Sequence, residues 1–201
     1  MQSRILRINQ GGGFDSVSIT TSDIPAINEH QILVKIKASS LNYHDYAVVS
    51  GMWGPAEDRI PMSDGAGEIV AIGTNVKNFK VGDHVVSTFF PDWDKGVPIY
   101  SDFKTVPGDG VDGYARDYVA VDENFFTKAP MHWTHLESST LTTAALTAWR
   151  ALFEDVHITK NDTILIQGTG GVSIYALQFA KMIGARVVAT SSSDYKIKRM
   201  Y

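Results

Sequence analysis

Short stretches of alternating apolar and polar residues dominate the first 130 positions of the chain. The clearest is residues 31–39, where Ile32, Val34, Ile36 and Ala38 fall on one face, as in a half-buried antiparallel strand. Glycine and proline separate this stretch from further predicted strands at residues 4–8, 68–72, 84–87 and 114–121. The pattern therefore predicts a compact β-rich domain over residues 1–130.

The hydrophobic period changes after Trp133. Apolar residues recur at near-helical spacing over 136–152, in a stretch without glycine or proline, which predicts a helix. Residues 163–167 and 186–190 are short apolar runs typical of buried parallel strands, and residues 172–183 between them are predicted to be helical. Asp194 is the predicted N-cap of a following helix. Residues 131–201 should thus contain a connecting helix and a βαβ unit, and the fold class is α/β with a β-rich part.

Composition narrows the function classes. The chain has 201 residues, of which 44% are hydrophobic, and a formal net charge of -4, so it offers no global cationic field for a nucleic acid or an anionic membrane. It contains no cysteine, which excludes a disulfide scaffold, a thiolate zinc site and a cysteine nucleophile. No signal peptide or membrane-spanning run is visible in the sequence. We expect a cytoplasmic protein with a small-molecule partner.

A glycine-rich segment, GTGGVS at 168–173, lies between the predicted strand and helix of the βαβ unit. In that context the first glycine allows a tight turn, the second lets the backbone approach a pyrophosphate, and the helix N-terminus offers free amides. Ser173 stands where the dinucleotide fingerprint has its third glycine or alanine. The alternative is a strand-to-helix turn that binds nothing. The expected cofactor-binding residues of this segment are Gly168, Thr169, Gly170, Gly171 and Val172.

The residue that follows the second strand distinguishes NAD from NADP. An acidic side chain there would accept hydrogen bonds from the ribose 2′-hydroxyl, but the chain has Ser191. Ser191, Ser192 and the nearby Lys196 supply hydroxyls and a cation suited to a 2′-phosphate. The charges could also belong to a solvated helix face. We expect NADP(H) to be preferred over NAD(H).

Two other chemistries find no support in the sequence. The six histidines lack the His-Glu-x-x-His spacing of a zinc-binding helix, so no metal site is predicted from them. The Gly-x-Ser-x-Gly turn of serine hydrolases is also absent, because Tyr175 stands where its last glycine would be.

Several segments, taken in order, resemble the medium-chain dehydrogenase/reductase superfamily, and specifically its zinc-independent alcohol dehydrogenase-like and quinone oxidoreductase-like branch. They are SLNYHD at 40–45, DGAGEIV at 64–70, VGDHV at 81–85, GYARDYV at 113–119, LTAW at 146–149 and the glycine-rich turn. The resemblance implies a GroES-like catalytic domain over residues 1–130, followed by the first part of a Rossmann nucleotide-binding domain. Family members continue through further strands, so we expect this chain to be a C-terminally truncated form.

The resemblance also bears on the metal and on the reacting groups. Zinc-dependent members have a cysteine, a histidine and a further cysteine where this chain has Asn42, Asp64 and a position near Thr143, so the resemblance implies no zinc. Without a metal, only hydrogen-bond donors can stabilise charge on a carbonyl oxygen that receives hydride. By resemblance, Asn42 and Tyr43 line the nicotinamide end of the cleft, and His44 occupies the position of a proton-relay hydroxyl. His44 could equally be a surface residue at a helix start.

By the same resemblance, Thr147 is the threonine that contacts the nicotinamide.

Taken together, the motifs and the resemblance predict a zinc-independent, NADP(H)-dependent oxidoreductase that acts by hydride transfer on an apolar carbonyl, enone or quinone. Aromatic residues such as Phe89, Trp93 and Phe103 could line an apolar cleft or simply belong to the core. The alternative is an inactive truncated remnant or isoform whose GroES-like module serves as a binding or dimerisation unit. A homodimer is compatible with either hypothesis.

Overall fold

The computed structural model describes residues 2–53, 58–93, 95–98, 100 and 104–200. The chain divides into two compact units, Met1–Thr142 and Thr143–Tyr201. The first is rich in antiparallel strands, and the second contains a parallel βαβ arrangement. The domain boundary after residue 130, with a catalytic domain before it and a nucleotide-binding domain after it, stays a prediction.

The first unit contains seven strands in the described residues: β1 (Gln2–Ile8), β2 (Val17–Asp23), β3 (Gln31–Ala38), β4 (Ala66–Ile72), β5 (His84–Ser87), β6 (Tyr118–Asp122) and β7 (Phe126–Lys128). β1 and β2 form a two-stranded hairpin, and the other five form an antiparallel sheet with the strand order β6-β3-β4-β5-β7. The predicted alternation along β3 is confirmed, because Ile32, Val34 and Ala38 are buried. Ile32 and Val34 pack in the core against buried side chains from β4, β5 and β6, together with Tyr114 and Phe126.

The predicted strand at residues 114–121 starts later than expected, at Tyr118. The preceding backbone groups bond to other segments: the Tyr114 N–H donates to the Met62 carbonyl at 2.8 Å, and the Ala115 carbonyl accepts from the Leu6 N–H at 2.8 Å. This part of the chain therefore links β1 to the loop before β4 instead of extending β6.

The helical region after Trp133 is interrupted. It consists of α2 (His135–Ser138), a π-helical stretch Leu141–Ala145, α3 (Leu146–Trp149) and a second π-helical stretch Arg150–Asp155. Leu136 and Leu146 are exposed, so the predicted apolar face does not turn inward over its whole length. Earlier in the chain, α1 (Tyr43–Val49) follows β3. Among the helices of the described residues, none has the length and apolar character needed to cross a membrane.

The second unit is built on β8 (Thr163–Gln167), α4 (Gly171–Met182) and β9 (Arg186–Thr190), with β8 and β9 parallel as predicted. Ile166 is buried with Ala176 of α4 and Leu152, whereas Leu165 is 60% exposed and Val188 is 42% exposed. One face of the two-stranded sheet is therefore covered and the other is open. The chain ends with α5 (Asp194–Lys198), whose N-cap is Ser193, not Asp194 as predicted, because the Ser193 hydroxyl accepts from the Lys196 N–H.

Candidate active site

The start of α1 is fixed by a buried carboxylate. Asp45 accepts from the Asn42 N–H at 2.8 Å through one oxygen, and from the Ser63 N–H at 3.0 Å through the other. Burial acts to raise the pKa of Asp45, but the nearby His44 imidazole and the two backbone amides outweigh it, so the pKa lies below its ordinary value. The charged form of Asp45 therefore holds residues 42–45 in place.

The side chain of Asn42 points to a second buried carboxylate. Its amide Nδ2 donates to Oδ2 of Asp64 at 2.9 Å, and the Ser40 hydroxyl donates to the same oxygen at 2.5 Å. Asp64 itself is completely buried. Asn42 thus serves as an anchor between the α1 start and the β4 side of the unit, a role that the sequence did not reveal.

His44 lies between two carboxylates and two aromatic rings. Its Nδ1 is 3.8 Å from Oδ1 of Asp45, and its Nε2 is 3.7 Å from Oδ2 of Asp109. The ring centroids of Trp53 and Phe89 are 5.4 and 5.2 Å from that of His44. The imidazole is mostly buried, so it is not the ordinary surface residue that the alternative interpretation allowed.

Asp109 was not singled out from the sequence. It lies 65 positions after His44, and no local spacing relates the two residues. The only available signal was its position between Gly108 and Gly110, which indicates a turn but no partner.

Tyr43 belongs to an exposed aromatic surface. Its ring stacks on Tyr46 with centroids 5.7 Å apart, Tyr46 contacts Phe14, and the Tyr43 hydroxyl lies 3.6 Å from the sulfur of Met52. Trp53 is also exposed, and Phe89, Phe90 and Trp93 form a chain of edge-to-face ring contacts. Phe103, which was expected in the same aromatic group, lies outside the described residues.

The glycine-rich turn joins β8 to the 12-residue helix α4. Gly168 has a φ of 82°, so a glycine is needed there for the tight turn. Gly170 is the N-cap, with φ -77° and ψ 176°, a conformation that any residue can adopt. A Cβ at Gly170 would meet no atom within 4 Å, whereas one at Gly171 would lie 3.1 Å from the Ala144 Cβ. Neither backbone conformation nor packing therefore requires glycine at position 170.

The remaining predicted cofactor residues lie at the ends of their elements. Ser191 directly follows β9 and its hydroxyl accepts from the Ser193 N–H at 3.3 Å, while Ser192 and Lys196 are exposed. Thr147, on α3, is exposed and donates its hydroxyl to the Thr143 carbonyl at 2.6 Å. Thr169 lies in the glycine-rich loop before α4, and Val172 lies in the first helical turn of α4.

The donor set at the positions of the zinc-dependent branch does not suit a zinc ion. Asn42 presents its amide N–H to Asp64, and a neutral amide is a poor zinc ligand compared with a thiolate or an imidazole. The third position falls near Thr143, in the second unit. Within the described residues, no three or more His, Asp or Glu side chains form a group that could hold a metal ion.

Comparisons with known proteins agree with this architecture. Residues 28–131, just over half of the chain, match the alcohol dehydrogenase GroES-like domain family. A zinc-type alcohol dehydrogenase-like protein of Schizosaccharomyces pombe is 39% identical over 92% of this chain and 55% of its own length. A chloroplastic quinone oxidoreductase of Triphysaria versicolor is 31% identical over 96% of this chain and 57% of its own length.

A crystal structure from Sinorhizobium meliloti 1021, classed as an alcohol dehydrogenase, superposes with a TM-score of 0.92 at 36% identity. The superposition covers 98% of this chain and 59% of the Sinorhizobium protein. The chain thus spans between half and two thirds of the length of these relatives. Its GroES-like match, its parallel βαβ unit and these relatives together place the chain in the alcohol dehydrogenase GroES-like family, within the medium-chain dehydrogenase/reductase superfamily.

Proposed function

We propose that the chain supplies the substrate- and cofactor-binding parts of an oxidoreductase that transfers hydride between NADP(H) and a small carbonyl, enone or quinone, without zinc. Residues 1–130 form the GroES-like catalytic domain, and residues 131–201 form the connecting helix and the first part of the nucleotide-binding domain. The proposal is carried by Gly170, which is a glycine at a position where neither the backbone nor the packing needs one. Glycine is also a common N-cap residue, and here the missing side chain leaves room for a ligand to approach the backbone.

The turn has the features that a dinucleotide needs. Its residues, Gly168, Thr169, Gly170, Gly171 and Val172, bring backbone amides to the N-terminus of α4, where the helix dipole favours the anionic pyrophosphate. When bound, the nicotinamide cofactor supplies the hydride. The chain's own contribution is to bind its phosphates here and to contact its nicotinamide through Thr147.

The preference for NADP rests on Ser191, Ser192 and Lys196. None of the three carries a carboxylate, and Lys196 adds a cation on the exposed side of α5. A solved neighbour at 26% identity bears the name NAD-dependent alcohol dehydrogenase. Fluorescence titration with NADPH and NADH compares the two cofactors directly. We expect tighter binding of NADPH, and equal affinities would contradict this assignment.

At the reacting end, the proposed residues are Asn42, Tyr43 and His44. Asn42 uses its amide to hold Asp64, so the Tyr43 hydroxyl and the His44 imidazole are the groups that can donate to a substrate oxygen. The exposed rings of Tyr43, Tyr46 and Trp53 favour a flat or apolar substrate over a small charged one.

Gly170→Asp tests the cofactor site without threatening the fold. Aspartate is a good N-cap and favours the helix dipole, so α4 should be at least as stable, but its charge would face the pyrophosphate. We expect cofactor affinity to fall by at least about tenfold, as a charge repulsion of about 1.4 kcal/mol would produce. Gly170→Asn is the matched control, because it has the same size and caps equally well without charge, and its loss should be smaller. Unchanged affinity in both variants, with unchanged thermal stability, would remove the turn from cofactor binding.

Activity assays on the purified natural chain distinguish an oxidoreductase from the alternative, an inactive GroES-like module. Turnover of quinones, enones or aldehydes that survives chelation would support a zinc-independent oxidoreductase, whereas stoichiometric zinc lost together with turnover would contradict it. A folded chain that binds neither cofactor would favour the inactive GroES-like binding or dimerisation module, and sedimentation would show whether it forms a homodimer.

We place the protein in the cytoplasm, with no nucleic-acid or membrane partner. Because three relatives are named for the chloroplast, cell fractionation is the check on that location.

A further inference from the structure

We propose that Asp109 is the residue that returns protons to His44 from solvent. This inference rests on the proposed function, in which His44 gives a proton to the substrate oxygen. Oδ2 of Asp109 is 3.7 Å from Nε2 of His44, and it is the carboxylate on the outer side of the ring.

The two carboxylates next to His44 differ in their access to water. Asp45, on the Nδ1 side, is buried and already accepts from two backbone amides, so it exchanges protons poorly with solvent. The Asp109 side chain is 51% exposed, against 14% for His44. A proton from bulk water therefore reaches Nε2 most directly through Asp109.

The aromatic neighbours of the ring supply no proton. Trp53, itself 59% exposed, and Phe89 contact the imidazole, and neither ring titrates. The charged groups that face His44 in the described residues are thus Asp45 and Asp109. A separation of 3.7 Å exceeds a direct hydrogen bond, but a water molecule beside the pair can bond to both atoms.

The turn that carries Asp109 is rigid. Its backbone is tied by bonds from the Asp109 N–H to the Val106 carbonyl at 3.2 Å and from the Gly108 N–H to the Val111 carbonyl at 2.8 Å. Gly108 has a φ of 85°, and a Cβ there would lie 2.9 Å from the Met62 backbone nitrogen. The fold therefore holds the backbone of Asp109 beside the imidazole, so that its carboxylate stays within reach of Nε2, as a proton path requires.

The proposed step moves protons only. The Nε2–H bond of the His44 imidazolium breaks as its proton passes to the substrate oxygen, and Nε2 of the neutral ring then takes a proton from the Asp109 carboxyl group 3.7 Å away. Asp109 regains a proton from water. One solvent proton is thus consumed for each proton delivered, and no electrons are transferred.

The test uses ¹⁵N-histidine-labelled protein and measures the rate at which the His44 ring N–H exchanges with water by NMR. Asp109→Asn keeps the shape of the side chain but removes the base, and we expect exchange to slow by at least about tenfold. Asp109→Glu should restore much of the rate, because it returns a carboxylate. Asp15→Asn, at an exposed aspartate that forms no ion pair with a histidine in the described part of the chain, should leave the rate unchanged.

An unchanged exchange rate in a folded Asp109→Asn protein would overturn the proposal, as would a slowed rate that Asp109→Glu fails to raise. If the exchange results hold but the protein turns over no substrate, the proton path stands and the oxidoreductase function fails. If the protein is active, Asp109→Asn should lower kcat, leave KM nearly unchanged and restore part of kcat when small acidic buffers are added. A change confined to KM would assign Asp109 to substrate binding instead and contradict the proposal.

Discussion

Asp64 ties the segment between β3 and α1 to the chain before β4, because its Oδ2 accepts from the Ser40 hydroxyl and the Asn42 amide. The carboxylate is 0% exposed and accepts from the part-buried side chains of Ser40 and Asn42, so removing it would leave these donors only their longer bonds to the Ser139 and Ser40 carbonyls, at 3.1 and 3.4 Å. A buried group without a partner costs more than a hydrogen bond contributes when it is made. The stability of this region therefore depends on residues that sequence comparison alone would assign to chemistry.

We predict that Asp64→Ala lowers the free energy of unfolding by roughly 1–3 kcal/mol, the typical cost when a hydrogen-bonded polar group loses its partner. Urea denaturation followed by circular dichroism measures it. Asp15→Asn, at an exposed position, should change stability by less than about 0.5 kcal/mol. An Asp64→Ala protein as stable as the unmodified one would show that Ser40 and Asn42 find other partners.

Asp45 should make the protein sensitive to acid. Its pKa in the folded state lies below the unfolded value, so its contribution to stability is fully present above the ordinary aspartate pKa of about 4. That contribution is lost as the pH falls further, through the lowered folded pKa. Urea midpoints measured from pH 6 to pH 3 should fall steeply for the natural chain and less steeply for Asp45→Asn. Equal slopes for the two proteins would rule out Asp45 as the titrating group, and Asp15→Asn should keep the natural slope.

The secondary structure elements differ in how well the sequence predicts them, and burial explains the difference. β8 and β9 were predicted with their observed bounds, because each is a short apolar run ended by a turn. β2 was missed because its side chains are mostly polar and exposed, so it owes its structure to pairing with β1. The helix at 136–152 was predicted as continuous, but π-helical stretches interrupt it.

The candidate site shows the same limit. The glycine-rich turn could be recognised because its residues are contiguous and its strand and helix flank it. The contacts of Asn42 with Asp64 and of His44 with Asp109 join residues 22 and 65 positions apart, and only the folded chain brings them together. Local patterns contain no information about such pairings.

The two faces of the β8–β9 sheet give a prediction at the level of this element. Ile166 is 5% exposed and packs in the second core, so Ile166→Ala should cost roughly 2–5 kcal/mol. Leu165, its neighbour on the open face, should tolerate Leu165→Ala at a cost below about 1 kcal/mol. Thermal or urea unfolding of both variants measures the two losses of stability. Similar losses would mean that the open face is covered in solution.

At the scale of the whole molecule, the chain has two separate cores. β3 is paired on both sides, by β4 and β6, and its residues Ile32 and Val34 are completely buried, whereas β8 and β9 form a sheet of only two strands in the described part of the chain. Opening a small sheet breaks fewer contacts, so local stability should differ between the units.

Native-state hydrogen exchange measures that difference for each amide. We expect the amides of β3 and β4 to exchange most slowly and those of β8 and β9 to exchange faster. Equal protection across both units would instead mean that the chain opens as a single cooperative unit. Addition of NADPH should slow exchange in the first turn of α4 if the cofactor binds there, by mass action on the folded form.

The outer edges of the β8–β9 sheet, together with its open face, also affect how the purified protein behaves in concentrated solution. In the described part of the chain each of these strands pairs with one neighbour, so each presents a row of backbone donors and acceptors along its other side. Apolar side chains such as Leu165 and Val188 flank those rows, and natural proteins usually guard such edges with charge. A strand from another molecule can be added there. Self-association should therefore increase with protein concentration, and a lysine introduced by Leu165→Lys would act as a gatekeeper that keeps the chains apart.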